Sequence, residues 1–115
     1  MTLPWRVKKY SCKSSSCFFN NSNGDDYINI VSTNSFVIEN CFFSNVLSDA
    51  IDIDYGGAEI SNSDFKNIGN DAIDASGAEL LVHQNRMNTI GDKGISAGEN
   101  SRIIGRNIVI KNSEI

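Results

Sequence analysis

The phrase Asp49-Ala-Ile-Asp-Ile returns 22 residues later as Asp71-Ala-Ile-Asp-Ala. A repeat that short cannot bury a core by itself and has to stack on its neighbours, which confines the chain to solenoid-like folds. The period extends to Asp26-Tyr-Ile-Asn-Ile on one side and Lys93-Gly-Ile-Ser-Ala on the other. Ile28, Ile51, Ile73 and Ile95 thus form one column, at spacings of 23, 22 and 22. A second column holds Ile38, Ile60 and Val82. A third runs Cys17, Cys41, Ser63, Asn85, each followed two residues later by Phe19, Phe43, Phe65 and Met87.

Around each station apolar and polar residues alternate: Ile28 and Ile30 flank Asn29, and Ile51 and Ile53 flank Asp52. That is the two-residue period of a strand, and the apolar positions are too closely alternated to make a helical stripe. Three short strands per repeat, joined by tight Asn, Gly and Asp turns, predict an all-β right-handed parallel β-helix. It would have about four to five coils of 22–24 residues, each strand lying beside its equivalent in the next coil. Residues 1–115 read as a single β-helix domain or fragment, with an irregular or partial first coil over 1–14 and repeats over about 15–115.

Equivalent residues in such a stack lie about 4.8 Å apart, so Ile packs on Ile, and Phe19, Phe43 and Phe65 pack on one another. Asn21, Asn45 and Asn67 recur at one corner, where a side-chain amide can bond from coil to coil and also to its local backbone. By the same logic Cys17 over Cys41 is expected to be a stack of small buried thiols rather than a disulfide. Cys12 fits no column. After Gly98 the apolar alternation continues with altered corner lengths. The sequence then stops on an apolar residue, Ile115, with no amphipathic segment to cover the last coil. An open solenoid end exposes core and strand edges, so the expectation is either the remainder of a longer chain or self-association through uncapped ends.

Charge narrows the partners. Ten basic against fourteen acidic side chains give a net charge of -4. Arg6, Lys8, Lys9 and Lys13 place four positive charges before the first acid, Asp25, so the remainder carries -8. An acidic body cannot displace counterions from phosphates, which argues against a nucleic-acid partner. Apolar runs are too short to span a membrane, and the first residues lack the apolar stretch of an export signal. Asn, Ser and Ile each occur 15 times, as repeated polar turns around β-branched strands require.

If Ile51, Ile53 and Ile73 point inward, Asp52, Asp54 and Asp74 share the outer face of one sheet, with Asn29 and Ser96 extending the column. Carboxylates one strand spacing apart raise each other's pKa unless a cation intervenes, and clustered oxygens suit calcium, here at Asp52 and Asp74. Such carboxylates also resemble the spacing used in glycoside hydrolysis, while the plainest reading is a solvated acidic face that discourages sheet aggregation. Asp49 and Asp71 are expected to accept backbone N–H bonds at turns. His83, the single histidine, aligns with Ser61 at an outward position and has no triad partner in its column.

Asn62-Ser-Asp-Phe-Lys-Asn-Ile-Gly-Asn-Asp-Ala-Ile-Asp and Gly91-Asp-Lys-Gly-Ile-Ser-Ala-Gly-Glu resemble the repeat language of the pectate-lyase-like β-helix superfamily. The resemblance covers residues 15–115, and more narrowly the run is similar to β-helix repeat segments of bacterial surface or envelope proteins. It implies a carbohydrate-facing role, with polysaccharide as partner, and a secreted or cell-surface location. Gly94-Ile-Ser-Ala-Gly is similar to a stretch of polygalacturonases. Where that family has a catalytic His between two glycines, however, this chain has Asp92-Lys93-Gly94, and where it has adjacent aspartates this chain has Asp71-Ala72. The reading that follows is a non-enzymatic module presenting an acidic, polar face to carbohydrate, cation or protein. A polysaccharide lyase or glycoside hydrolase fragment and a self-stacking assembly module are the alternatives, and no cofactor is implied beyond calcium.

Overall fold

Strands that alternate inward apolar with outward polar side chains have one way to bury the apolar set here, which is to wind into a coil and stack coils in register. The structure, a computed structural model, describes residues 9–11, 17–21, 26–32 and 36–114, and among these it is all β, a parallel β-solenoid of about four turns. The first station comprises β3 (Ile28–Val31), β6 (Ile51–Asp54), β9 (Ile73–Ser76) and β11 (Ile95–Ala97), forming a four-stranded sheet. The second comprises β1 (Lys9–Ser11), β4 (Phe36–Glu39) and β7 (Gly57–Ser61). The third comprises β2 (Cys17–Asn20), β5 (Cys41–Val46) and β8 (Asp64–Ile68). In the last two coils these stations merge into single strands, β10 (Glu79–Ile90) and β12 (Arg102–Ser113), which join both faces into an eight-stranded sheet.

The columns stand in the expected register. Ile28 pairs with Ile51, Ile51 with Ile73 and Ile73 with Ile95; Ile38 pairs with Ile60, and Ile60 with Val82. Ile51, Ile53, Ile60, Ile73 and Val82 are wholly buried. Phe43 stacks between Phe19 and Phe65 with centroids 4.9 Å apart on each side, and Met87 continues the column. β12 follows β10 in register along its length, with Glu79 opposite Arg102. The offset is therefore 23 residues there, against 22 between Ile73 and Ile95, and the extra residue sits in the corner after Gly98.

Corners account for the asparagine excess more fully than side-chain bonding alone. Asn40, Asn62, Gln84 and Asn107 form one corner column at φ between 54° and 57°, except Asn62 at 50°; Asn21, Asn45, Asn67, Thr89 and Asn112 form another at 53° to 60°. A left-handed residue turns the chain in a single step, and asparagine tolerates that conformation better than other side chains. The amide ladder is present in zigzag form. Asn67 Nδ2 donates to Asn45 Oδ1 at 3.1 Å, but Asn45 Nδ2 donates to Asn20 rather than to Asn21, and Asn112 to Asn88.

At the third station one expectation is corrected and one column gains a role. Ser63 and Asn85 continue the cysteine column as buried polar residues: Ser63 Oγ accepts the Cys41 N–H, and Asn85 Oδ1 accepts the Ser63 N–H at 2.9 Å. These bonds satisfy amides that the neighbouring left-handed corner would leave bare. Cys17 does stand over Cys41, yet Cys41 is a buried thiol outside any disulfide, whereas Cys17 is disulfide-bonded. Cys12 lies outside the described residues.

Candidate metal centre on an acidic ridge

Along the first sheet the outward row reads Asn29, Asp52, Asp74, Ser96, each residue opposite the next in register. One residue ahead of the buried Ala50 and Ala72 stand Asp49 and Asp71, each only 5% exposed. They lie at a corner where the chain enters its strand, and their carboxylates satisfy corner amides. Asp26 Oδ1 accepts the Asp49 N–H at 3.0 Å, Asp49 Oδ1 the Asp71 N–H at 2.9 Å, and Asp71 Oδ1 the Lys93 N–H at 3.0 Å. Asp49 Oδ1 also accepts Asn70 Nδ2 at 2.8 Å.

Corner and ridge converge. Asp26, Asp49 and Asp52 bring carboxylate oxygens within 4.8 Å of one another, and Asp49, Asp71 and Asp74 do the same, so Asp49 belongs to both groups. Two oxygens on opposite sides of a calcium ion, each about 2.4 Å away, are themselves about 4.8 Å apart. Asn29 Nδ2 donates to Asp52 Oδ2 at 3.1 Å and holds one edge of the ridge. Ser96 hydrogen-bonds Asp74 at the other. Asp54 lies one outward position further on, opposite Ser76, and belongs to neither group; its charge still acts on Asp52 and Asp74.

Crowding shows in the proton affinities. Burial pushes the Asp52 carboxyl up to about 7, with the hydrogen bond to Asp26 and the charges of Asp54, Asp26 and Asp74 adding to it. Burial likewise raises Asp49, Asp71 and Asp74 above the ordinary carboxylate value. In Asp71 the charges of Asp49 and Asp92 push further up, while the Lys93 N–H and the Lys93 charge pull down. Lys93 itself is engaged by Asp92, with Nζ 3.0 Å from Oδ2. Such an array favours whatever neutralises it, a proton or a cation.

Strand alternation alone puts Asp52 and Asp74 on one face, as they stand here, whereas Asp49 and Asp71 read from the sequence as turn residues and Asp26 carries no site expectation. The signal was there: Asp26-Tyr-Ile-Asn aligns with Asp49-Ala-Ile-Asp, so a corner Asp recurs in three coils. His83 lies away from the ridge on the other sheet, opposite Ser61, with Nε2 2.8 Å from Glu59 Oε2. Compared with protein-family models, curated proteins and solved structures, the chain matches none, so its geometry carries the functional reading.

Proposed function

We propose that this chain is a non-enzymatic β-solenoid module of a surface or extracellular protein, whose acidic ridge holds divalent cations, calcium first, and through them acidic polysaccharide. The observation that carries the proposal is the pair of carboxylate groups sharing Asp49, with oxygens at the mutual distances of one coordination sphere. A hard cation answers the electrostatic problem that the fold creates by stacking aspartates on aspartates. Its unfilled coordination positions are where a uronate carboxylate would bind, which is how the carbohydrate expectation joins the cation one. The right-handed, pectate-lyase-like and bacterial character implied by the repeat language belongs to the same proposal. Calorimetric titration with calcium tests it: saturable binding to the unmodified chain, lost in Asp52→Asn/Asp74→Asn, is the expected result. The absence of heat with a correctly folded chain would leave the ridge as a solvated face.

A fragment of a polysaccharide lyase or glycoside hydrolase is the second reading. One observation favours it, the Asp52 carboxyl held at about 7, where a group can both take and give a proton. Turnover of an acidic polysaccharide that disappears in Asp52→Asn would support it over the first.

A further inference from the structure

We infer that Tyr55 is a stacking platform for a pyranose ring of a uronate chain whose carboxylate meets the cation at Asp52 and Asp74, an inference that rests on the cation reading of the ridge. Tyr55 follows Asp54 at the end of β6, in a corner column with Ser32 and Gly77. Each member bonds the next coil: the Ser32 N–H donates to the Asp54 carbonyl, Tyr55 to Ser76 and Gly77 to Glu99. All three are left-handed, at φ 51°, 56° and 61°. Among the described residues Tyr55 is the one aromatic side chain in that conformation, which is costly for a bulky residue and easy for glycine.

Burial does not account for that cost, because Tyr55 is 69% exposed. The ring is nevertheless held in place. It lies over Gly77, where a Cβ would come within 2.8 Å of Tyr55 Cδ1 and 3.0 Å of Cε1. Glycine in the next coil thus makes the notch on which the ring rests, while the rest of the side chain faces solvent. A strained backbone that fixes an exposed ring serves binding rather than stability.

The surroundings select the occupant. Asp54 and Ser76 stand opposite each other on the outward row beside the ring, and Asp54 belongs to neither carboxylate group, so its oxygens are placed to accept hydroxyl hydrogens. One ring beside a carboxylate offers too little apolar surface for the core of a protein interface. It matches a pyranose, whose C–H face suits the electron-rich face of the ring and whose hydroxyls lie at its edge. Asp52 lies about 10 Å back along the strand. A saccharide laid along β6 therefore reaches from cation to ring, and the Asp54 charge turns its carboxylates toward the ridge.

Calorimetric titration of the full chain with a galacturonate trimer in calcium, beside titration with calcium alone, tests this. Tyr55→Ala should weaken trimer binding about tenfold and Tyr55→Phe should keep it, with calcium binding unchanged in both. Gly77→Asn tolerates the left-handed backbone but adds the Cβ that displaces the ring, so it should weaken the trimer and not calcium. A neutral glucose trimer lacks the carboxylate and should bind more weakly; equal affinity would overturn the uronate assignment. Melting separates binding from packing. Tyr55→Asn should melt no lower than the unmodified chain while losing trimer affinity, and a lower melting temperature, the mark of a ring that is there to pack, overturns the inference. So does trimer affinity that is absent, or unchanged in Tyr55→Ala, while calcium binds; the ridge then stands without the platform. If calcium does not bind, the ridge reading fails separately, and the platform is upheld by trimer binding without calcium that Tyr55→Ala removes and overturned by its absence.

Discussion

Asp49 and Asp71 are bound to each other through the backbone: Asp49 Oδ1 accepts the Asp71 N–H at 2.9 Å, and both side chains are buried to within 5%. Each carboxylate therefore does two things at once, satisfying a corner amide of the next coil and adding charge to a crowded ridge. Two substitutions separate these roles. Asp71→Ala leaves the Lys93 N–H without its acceptor and should cost about 1–3 kcal/mol. Asp71→Asn keeps an oxygen acceptor and removes the charge, so above neutral pH it should melt higher than Asp71→Ala and no lower than the unmodified chain. Thermal melting of the two variants side by side is the measurement.

The inward register makes a second prediction. Ile73 is wholly buried between Ile51 and Ile95, and Ile73→Asp would drive a charge into that stack, at a cost of about 4 kcal/mol or more. A domain this small should then fail to fold. Far-UV circular dichroism checks it, and a soluble, cooperatively melting Ile73→Asp chain would contradict the register.

The aromatic column predicts a contrast. Phe43→Ala removes a ring packed between two others and should cost about 3–5 kcal/mol in a denaturant titration. Phe18, on the outer face of β2 and 70% exposed, meets only a neighbouring ring face, that of Phe42 at 5.3 Å between centroids, and should cost less, about 0.5–1.5 kcal/mol, when replaced by alanine.

Columns such as Ile51 over Ile73 were legible because stacking places like on like and a strand's alternation assigns inside and outside without ambiguity. Corners were less legible. Asn45 and Asn67 were readable as repeating amides. That they hold φ at 55° and 56°, and that Gln84 and Thr89 do the same job without being asparagine, is a property of the backbone and is not spelled in residue type. The merging of two stations into β10 is hidden in the sequence for the same reason, since a left-handed Gln84 bends the strand where Asn62 in the coil before interrupts it. At the ridge, Asp52 and Asp74 were foreseeable from alternation. The inclusion of Asp26, Asp49 and Asp71 depends on the corner's fold, which turns side chains one coil apart toward a shared space.

The corner conformation can be tested on its own. Asn67→Ala places an ordinary residue at φ 56° and should cost about 1–2 kcal/mol. Asn67→Gly relieves the backbone and loses only the bond to Asn45, so it should cost less than Asn67→Ala. The reverse order in melting temperature would show that the amide ladder, not the left-handed backbone, is what asparagine supplies there.

Melting across pH with and without calcium shows most directly whether the ridge needs neutralising. Asp49, Asp52, Asp71 and Asp74 all hold protons more tightly in the folded chain than carboxyls ordinarily do. The folded state therefore binds more protons than the unfolded one above the ordinary Asp value of about 4. This contribution to stability is fully present below that pH and is lost as pH rises through the Asp52 value of about 7. Without calcium the melting temperature should fall between pH 5 and 8. Calcium, which binds the ionised ridge, should restore it at pH 8 and do little at pH 5, by about 2.7 kcal/mol when present at about a hundred times its dissociation constant. A melting temperature that does not fall over this range and is indifferent to calcium at pH 8 would mean that the ridge needs no neutralising and holds no calcium.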